Sequence, residues 1–114
     1  MREVPRQRFE QLVADALDSL PEELGRLMDN VWVTVEDEHP DQNLLGLYEG
    51  VPLTQRAEYG GMALPDRITI YRLPICAMSR TDREVVEAVR DTVVHEVAHH
   101  FGIDDDRLTE LGWN

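Results

Sequence analysis

Apolar residues recur every three or four positions near the start of the chain, and charged residues fill the positions between them. This spacing puts the apolar side chains on one face of a helix, so it predicts an amphipathic first helix that packs on a core. A second, short helix is predicted directly afterwards, because Ser19 and Glu22 form a capping box and Pro21 stands near the first helical position. The apolar positions of the two helices are Phe9, Leu12, Val13, Ala16, Leu17 and Leu20, and then Leu24, Leu27 and Met28.

Three segments in the middle of the chain have the composition of β-strands. Residues 31–35 (VWVTV) are β-branched and aromatic without a helical period, and they predict a first strand. Residues 44–51, interrupted by glycine, predict a second strand, and residues 67–73 (RITIYRL) a third that Pro74 should end. Residues 52–66 contain prolines and adjacent glycines without a clear period, so we expect a long surface loop before the third strand.

The last third of the chain predicts a long helix and a short one. Thr81, followed three residues later by a glutamate, opens a capping box, and its helix should run to Phe101. Gly102 stands where a left-handed residue often ends a helix, and residues 104–113 predict a short C-terminal helix. The elements together predict one α+β domain over residues 1–114: two N-terminal helices, a small mixed sheet of about three strands, a long helix and a short C-terminal helix.

Composition narrows the classes of function. The formal net charge is -12, from 23 acidic and 11 basic residues, so a nucleic acid would be repelled. All the basic residues are arginines, which excludes catalysis by a Schiff-base lysine or a P-loop lysine. The single cysteine, Cys76, is expected to be a small buried hydrophobe. With no segment of about 18 apolar residues, the composition indicates a cytoplasmic protein without membrane contact.

The long predicted helix carries the pattern H-E-x-x-H at His95, Glu96 and His99, extended by Gly102 and Asp105 to H-E-x-x-H-x-x-G-x-x-D. Histidines four positions apart lie one turn above each other, so both rings can face one metal ion from a rigid platform. The intervening glutamate projects about 100° around the helix axis, near enough to reach a water on the ion without binding it. A left-handed glycine would reverse the chain and bring the carboxylate of Asp105 back towards the open side of the metal.

Each residue of this motif also has a purely structural interpretation. Asp105 stands in a run of three aspartates where the last helix begins, so it can be a helix cap, and Asp104 or Asp106 can replace it as the third ligand. The two histidines and the glutamate could be solvated, although small side chains on the same helix face leave space above the histidines. His100 points roughly 140° away from His95, into a stripe of valines, and is interpreted as a structural histidine.

With these residues the sequence resembles the zincin metallopeptidases, most closely the small bacterial mini-zincins whose third ligand is an aspartate. The order of predicted elements resembles that family over nearly the whole chain. The resemblance implies a zincin-like minimal domain in which His95, His99 and Asp105 hold Zn²⁺ and Glu96 is the general base. Larger zincins place a methionine beneath the metal after the motif, but here every methionine precedes it. Trp113 is expected either to pack under the site in its place or simply to close the core.

The resemblance implies a zinc-dependent peptidase. The metal would lower the pKa of its bound water, and Glu96 would take the proton as that water attacks a peptide carbonyl. The expected partner is a peptide or protein substrate, and a second copy of the chain, as a homodimer, could complete a shallow cleft. Tyr48, Tyr59 and Tyr71 are candidates for stabilising the oxyanion. The alternatives are a non-catalytic metal-binding or interaction module that keeps the site, and a metal-free acidic surface for a basic partner.

Overall fold

The structure, a computed structural model, describes residues 1–22, 25, 28, 31–50, 66–103 and 105–111, and for residues 105, 108 and 111 it describes the backbone alone. Its elements in chain order are α1 (Arg6–Asp18), β1 (Val31–Glu36), β2 (Gly46–Glu49), β3 (Asp66–Tyr71), α2 (Arg72–Met78), α3 (Asp82–His100) and α4 (Asp105–Leu111). The predicted α+β class is confirmed. The predicted second helix, through Leu24 and Leu27, lies largely outside the described residues.

The three strands form one mixed sheet in the order β1-β3-β2. The central strand, β3, runs parallel to β1 and antiparallel to β2, so that Ile68 lies opposite Val33 on one side and Tyr48 on the other. Every residue of β3 except Arg67 is buried, whereas β2 has no fully buried residue. β2 is therefore an edge strand, with one strand partner among the residues that the structure describes.

The long helix α3 lies at the centre of the packing and contacts α1, α2, β2 and β3. Its valines at helical spacing are at most 2% exposed and belong to one hydrophobic cluster with side chains from α1 and β3. Burying one valine contributes about 1.5–3 kcal/mol, so this stripe fixes which face of α3 points to the sheet. The stripe consists of Val85, Val89, Val93 and Val97.

The N-terminus of α3 begins where the capping box predicted. The Thr81 side chain accepts a hydrogen bond from the Glu84 backbone N–H at 3.1 Å, which satisfies one of the first free N–H groups of the helix. The Glu84 carboxylate accepts a bond from the backbone N–H of Arg80 at 2.9 Å. These two hydrogen bonds determine the residue at which α3 begins, and therefore the position of every later residue along the helix axis.

The predicted end of the third strand is wrong. β3 ends at Tyr71, and the next residues form α2, Arg72–Met78, in which Pro74 is the third residue. Proline is tolerated there because the first N–H groups of a helix have no intrahelical acceptor. Cys76 of α2 is a buried free thiol, as expected. No helix in the described part of the chain has the length and apolar composition needed to cross a membrane.

Candidate metal centre

The last two turns of α3 bring His95, Glu96 and His99 together. Each offers one potential ligand atom, and these atoms all lie within 4.8 Å of one another. The ring centroids of the two histidines are 4.7 Å apart, with their planes at 73°. This proximity follows from the four-residue spacing, which stacks the side chains on one face of the helix. The structure therefore groups three of the four site residues that the sequence predicts.

Glu96 is a buried carboxylate, 6% exposed, and its Oε1 atom lies 3.2 Å from Nδ1 of His99. Burying a carboxylate is costly unless a donor is close, and the imidazole supplies that donor in the tautomer that carries its proton on Nδ1. A neutral imidazole that donates from Nδ1 keeps a lone pair on Nε2, which is the form that binds a metal. The contact between these two residues is compatible with the Nδ1-protonated tautomer of His99.

A groove of about 300 Å³ opens beside His95 and Glu96. Gly46 of the edge strand closes it on one side, where a Cβ atom would stand 3.0 Å from the Cγ atom of Glu96. Such a volume is at the lower end of the range for small-molecule sites. The residues that line the groove are Leu45, Gly46, Asp91, Thr92, His95 and Glu96. Open space is thus present beside His95, and Gly46 of β2 forms part of its border.

The chain leaves α3 through a left-handed turn at Gly102, whose φ is 77°. The Gly102 N–H donates to the carbonyl of His99 and the Ile103 N–H to that of Ala98, each at 2.9 Å, which is the Schellman arrangement. The left-handed helix end predicted at this glycine is confirmed, and its predicted effect on the position of the Asp105 carboxylate stays a prediction. α4 then begins at Asp105 and contacts α3.

The third predicted ligand is not placed by the structure. The side chain of Asp105, the whole of Asp104 and Trp113 lie outside the described residues. The choice among the three aspartates, and the predicted packing of Trp113 under the site, therefore stay predictions.

His100 lies one helical turn after Glu96, is fully buried and is not among the residues that line the groove. Its Nδ1 atom lies 2.7 Å from Oδ2 of Asp66, and the Tyr48 hydroxyl donates to the same oxygen at 2.6 Å. The interpretation of His100 as a structural residue holds. Asp66 was expected at the end of a surface loop, and nothing in the hydrophobic pattern marks it as a buried partner of this histidine.

Residues 28–113 match the model of a protein family described as zincin-like metallopeptidase. The chain belongs to this zincin-like metallopeptidase family. A conserved hypothetical protein from Thermo thermophilus has a similar solved structure, with a TM-score of 0.58 and 20% sequence identity over 96% of this chain and 100% of that one. At this identity the likeness concerns the fold alone. No curated protein matches the sequence at a significant level.

The donor set of this zincin-like chain fits a zinc ion. Zinc in proteins takes imidazole nitrogens and carboxylate oxygens at about 2.0–2.2 Å, so two of its ligand atoms lie roughly 3.5 Å apart. The ligand atoms of His95 and His99 lie within 4.8 Å of each other, a limit that includes this spacing.

Of the tyrosines considered for the oxyanion, Tyr48 is engaged elsewhere in the zincin-like fold and Tyr71 is buried. The Tyr48 hydroxyl donates to Asp66, and Tyr71 is only 5% exposed. Tyr59 lies outside the described residues. Neither described tyrosine therefore offers an obvious hydroxyl to the groove.

Proposed function

We propose that the protein is a zinc-dependent metallopeptidase that hydrolyses peptide bonds, with His95, His99 and Asp105 holding the metal and Glu96 as general base. The observation that carries the proposal is the grouping of two imidazoles and a buried carboxylate within 4.8 Å, beside a groove, in a chain of this family. Zinc held there would supply Lewis acidity, lowering the pKa of water and polarising a carbonyl.

Glu96 is suited to move the proton. Its carboxylate is buried at the border of the groove, and His99 holds Oε1 at 3.2 Å, which limits rotation of the side chain. A carboxylate in that position can take a proton from the attacking water and deliver it to the leaving amine. General acid–base catalysis of this kind contributes about 10²–10⁴-fold to a rate.

The substrate proposed for the groove is an extended peptide. β2 borders the groove at Gly46 and is an edge strand of the sheet. An exposed edge can pair with an added strand through backbone hydrogen bonds, which would bring the peptide past Glu96. Because the groove is small, we also propose that a second copy of the chain completes the cleft. The cytoplasmic location inferred from the single cysteine stays a prediction.

The second candidate is a non-catalytic metal-binding or interaction module with the same site. The hydrogen bond between Glu96 and His99 favours it, because ligating histidines commonly donate their second ring nitrogen to a carboxylate whatever the role of the metal. In that case Glu96 would orient a ligand and transfer no proton.

Metal binding and its dependence on each ligand test the proposal first. We expect the purified chain to bind one zinc ion, and His99→Ala to lose more than the roughly 10–100-fold in affinity typical of changes to outer partners. Asp105→Asn should lower the affinity too, and a loss in Asp106→Asn instead would assign the third ligand to Asp106. Equal affinities for all the variants would refute the metal site.

Peptide cleavage then separates the two candidates. A mixed peptide library incubated with the zinc-loaded protein should be cleaved, and Glu96→Gln with the same zinc content should abolish that cleavage. Zinc binding without any cleavage dependent on Glu96 would instead favour the module.

A further inference from the structure

One helical turn after Glu96 lies a buried polar cluster formed by Tyr48, Asp66 and His100, which we term the Asp66 cluster. Oδ2 of Asp66 accepts the Tyr48 hydroxyl at 2.6 Å and lies 2.7 Å from Nδ1 of His100. The aspartate is 2% exposed and the histidine 0%. The cluster joins β2, the first residue of β3 and the last residue of α3.

Stability alone gives no reason for these residue types. Removing a carboxylate and an imidazole from water is expensive, and apolar side chains of similar volume usually serve a core as well or better. What a buried polar pair adds is direction, because a hydrogen bond fixes both distance and angle whereas apolar contacts tolerate sliding. The Asp66 cluster therefore defines an orientation between α3 and the sheet.

The carboxylate of Asp66 has little freedom to move. Its Oδ2 is held by two hydrogen bonds, and at Gly50 a Cβ atom would come within 2.5 Å of Oδ1. The φ of Gly50 is 155°, which L side chains rarely adopt. The backbone just after β2 thus comes close to the aspartate, and a residue without a side chain makes that approach possible.

The His100 ring has one orientation that satisfies the carboxylate. Within the described part of the structure, its Nε2 atom is buried without a hydrogen-bond partner, so only Nδ1 contributes to the cluster. Turning the ring over would replace that nitrogen by a carbon and leave Asp66 without its closest helix partner. The hydrogen bond thereby holds the last residue of α3 at one rotation about the helix axis and at one position along that axis, relative to the sheet.

We propose that Asp66 is a positioning residue for the metal centre: through His100 it fixes the last turn of α3, so that His99 faces His95 and Glu96. Successive helix residues are separated by about 100°, so holding His100 against the strands determines the direction in which His99 points, about 100° around the helix axis. The Schellman turn after α3 is anchored on the carbonyls of Ala98 and His99, so the geometry of this turn also depends on the last turn of the helix. The inference rests on the metal site of the proposed function.

The test compares Asp66→Asn with Val89→Ala, a cavity variant of the same helix two turns before the site. Zinc affinity is measured by competition with a chelator, the cobalt-substituted protein is followed by its visible absorption, and stability is measured by urea unfolding. We expect Asp66→Asn to lose about 10–100-fold in zinc affinity and to change the cobalt spectrum. Val89→Ala, also destabilised, should keep the wild-type spectrum and an affinity within about threefold.

Two results would overturn the inference: wild-type affinity and spectrum in Asp66→Asn, or the same losses in Val89→Ala, which would tie metal binding to stability alone. Should Asp66→Asn not fold, Tyr48→Phe removes a single hydroxyl from the cluster and keeps the ring. It should shift the cobalt spectrum in part, and a spectrum identical to that of the wild type would refute the positioning role.

Amide hydrogen exchange of the metal-free protein separates this inference from the proposed function. Tyr48→Phe and Asp66→Asn should accelerate exchange at residues 98–101 and leave residues 89–93 of α3 unchanged. A wild type that binds no zinc would refute the proposed function, and the exchange pattern would then decide alone whether the Asp66 cluster holds the helix end. Uniform acceleration along α3, or none, would contradict it.

Discussion

A Cβ atom on Gly46 would lie 3.0 Å from the Cγ atom of Glu96, although the two residues are on different elements of the fold. The same atom would lie 2.8 Å from Cγ2 of Thr92 and 3.3 Å from the carbonyl oxygen of Thr69. The backbone of the edge strand therefore touches the stem of the proposed general base. A side chain at position 46 therefore requires a shift of the strand backbone, of Thr92 or of Glu96.

Gly46→Ala should destabilise the protein by about 1–3 kcal/mol, the usual range for overpacking, and should lower any activity that depends on Glu96. Thr92 cannot turn aside freely because its hydroxyl donates to the Ala88 carbonyl at 2.7 Å. Urea unfolding measures the cost. Thr92→Ser removes the nearest methyl group and keeps the hydroxyl, so Gly46→Ala combined with Thr92→Ser should cost less than the sum of the single changes. Strictly additive costs would contradict the predicted contact.

Gly102→Ala should destabilise the protein by about 1–2 kcal/mol, because an L side chain is strained in the left-handed conformation that this residue adopts. Gly102→Asn should cost less, since asparagine tolerates that conformation better than alanine. The control is Gly25→Ala, at an exposed glycine where a Cβ atom would meet nothing within 4 Å. Equal midpoints of urea unfolding for the variants at positions 25 and 102 would argue against a specific requirement for glycine at the end of α3.

The stability of the protein should depend on Tyr71 at alkaline pH. Burial, together with the charge of Glu49, raises the pKa of this phenol above its ordinary value of 10.0. In the unfolded chain the phenol ionises near its ordinary pKa, so above pH 10 the folded state holds the proton more tightly. The contribution of the protonated Tyr71 phenol to the free energy of unfolding is fully present below pH 10. It is lost as the pH rises through the raised pKa of the folded state.

Urea unfolding of the wild type and of Tyr71→Phe below and above pH 10 checks this sign. The free energy of unfolding of the wild type should fall relative to that of the variant only above pH 10. A constant difference between the two proteins across that range would mean that Tyr71 titrates alike in both states. An absorbance titration of the phenolate should show Tyr71 ionising late.

The features predicted well from the sequence are those with local causes. The capping box at Thr81 and the left-handed glycine at position 102 depend only on neighbours within one helical turn. The sequence therefore predicts both ends of α3 to within one residue. The histidine pair follows from helical spacing alone. The end of β3 was not predicted, because Pro74 is equally compatible with stopping a strand and with the first turn of a helix.

The Asp66 cluster was missed for a different reason. Its members are separated by 18 and 34 residues, and only the pairing of β2 with β3 and the packing of α3 bring them together. Asp66 follows a long stretch without periodicity, so its composition suggested a loop. A lone aspartate there carries no local signal that distinguishes a buried partner from a solvated charge.

The central claim, a zinc peptidase whose base is Glu96, is tested most directly by comparing peptide cleavage by the wild type and by Glu96→Gln at matched zinc content. Gln is close in size to Glu and cannot accept the proton, so zinc binding should persist while the cleavage rate falls about 10²–10⁴-fold. Cleavage at the same rate in both proteins, or a zinc-loaded wild type that leaves every peptide intact, would contradict the claim.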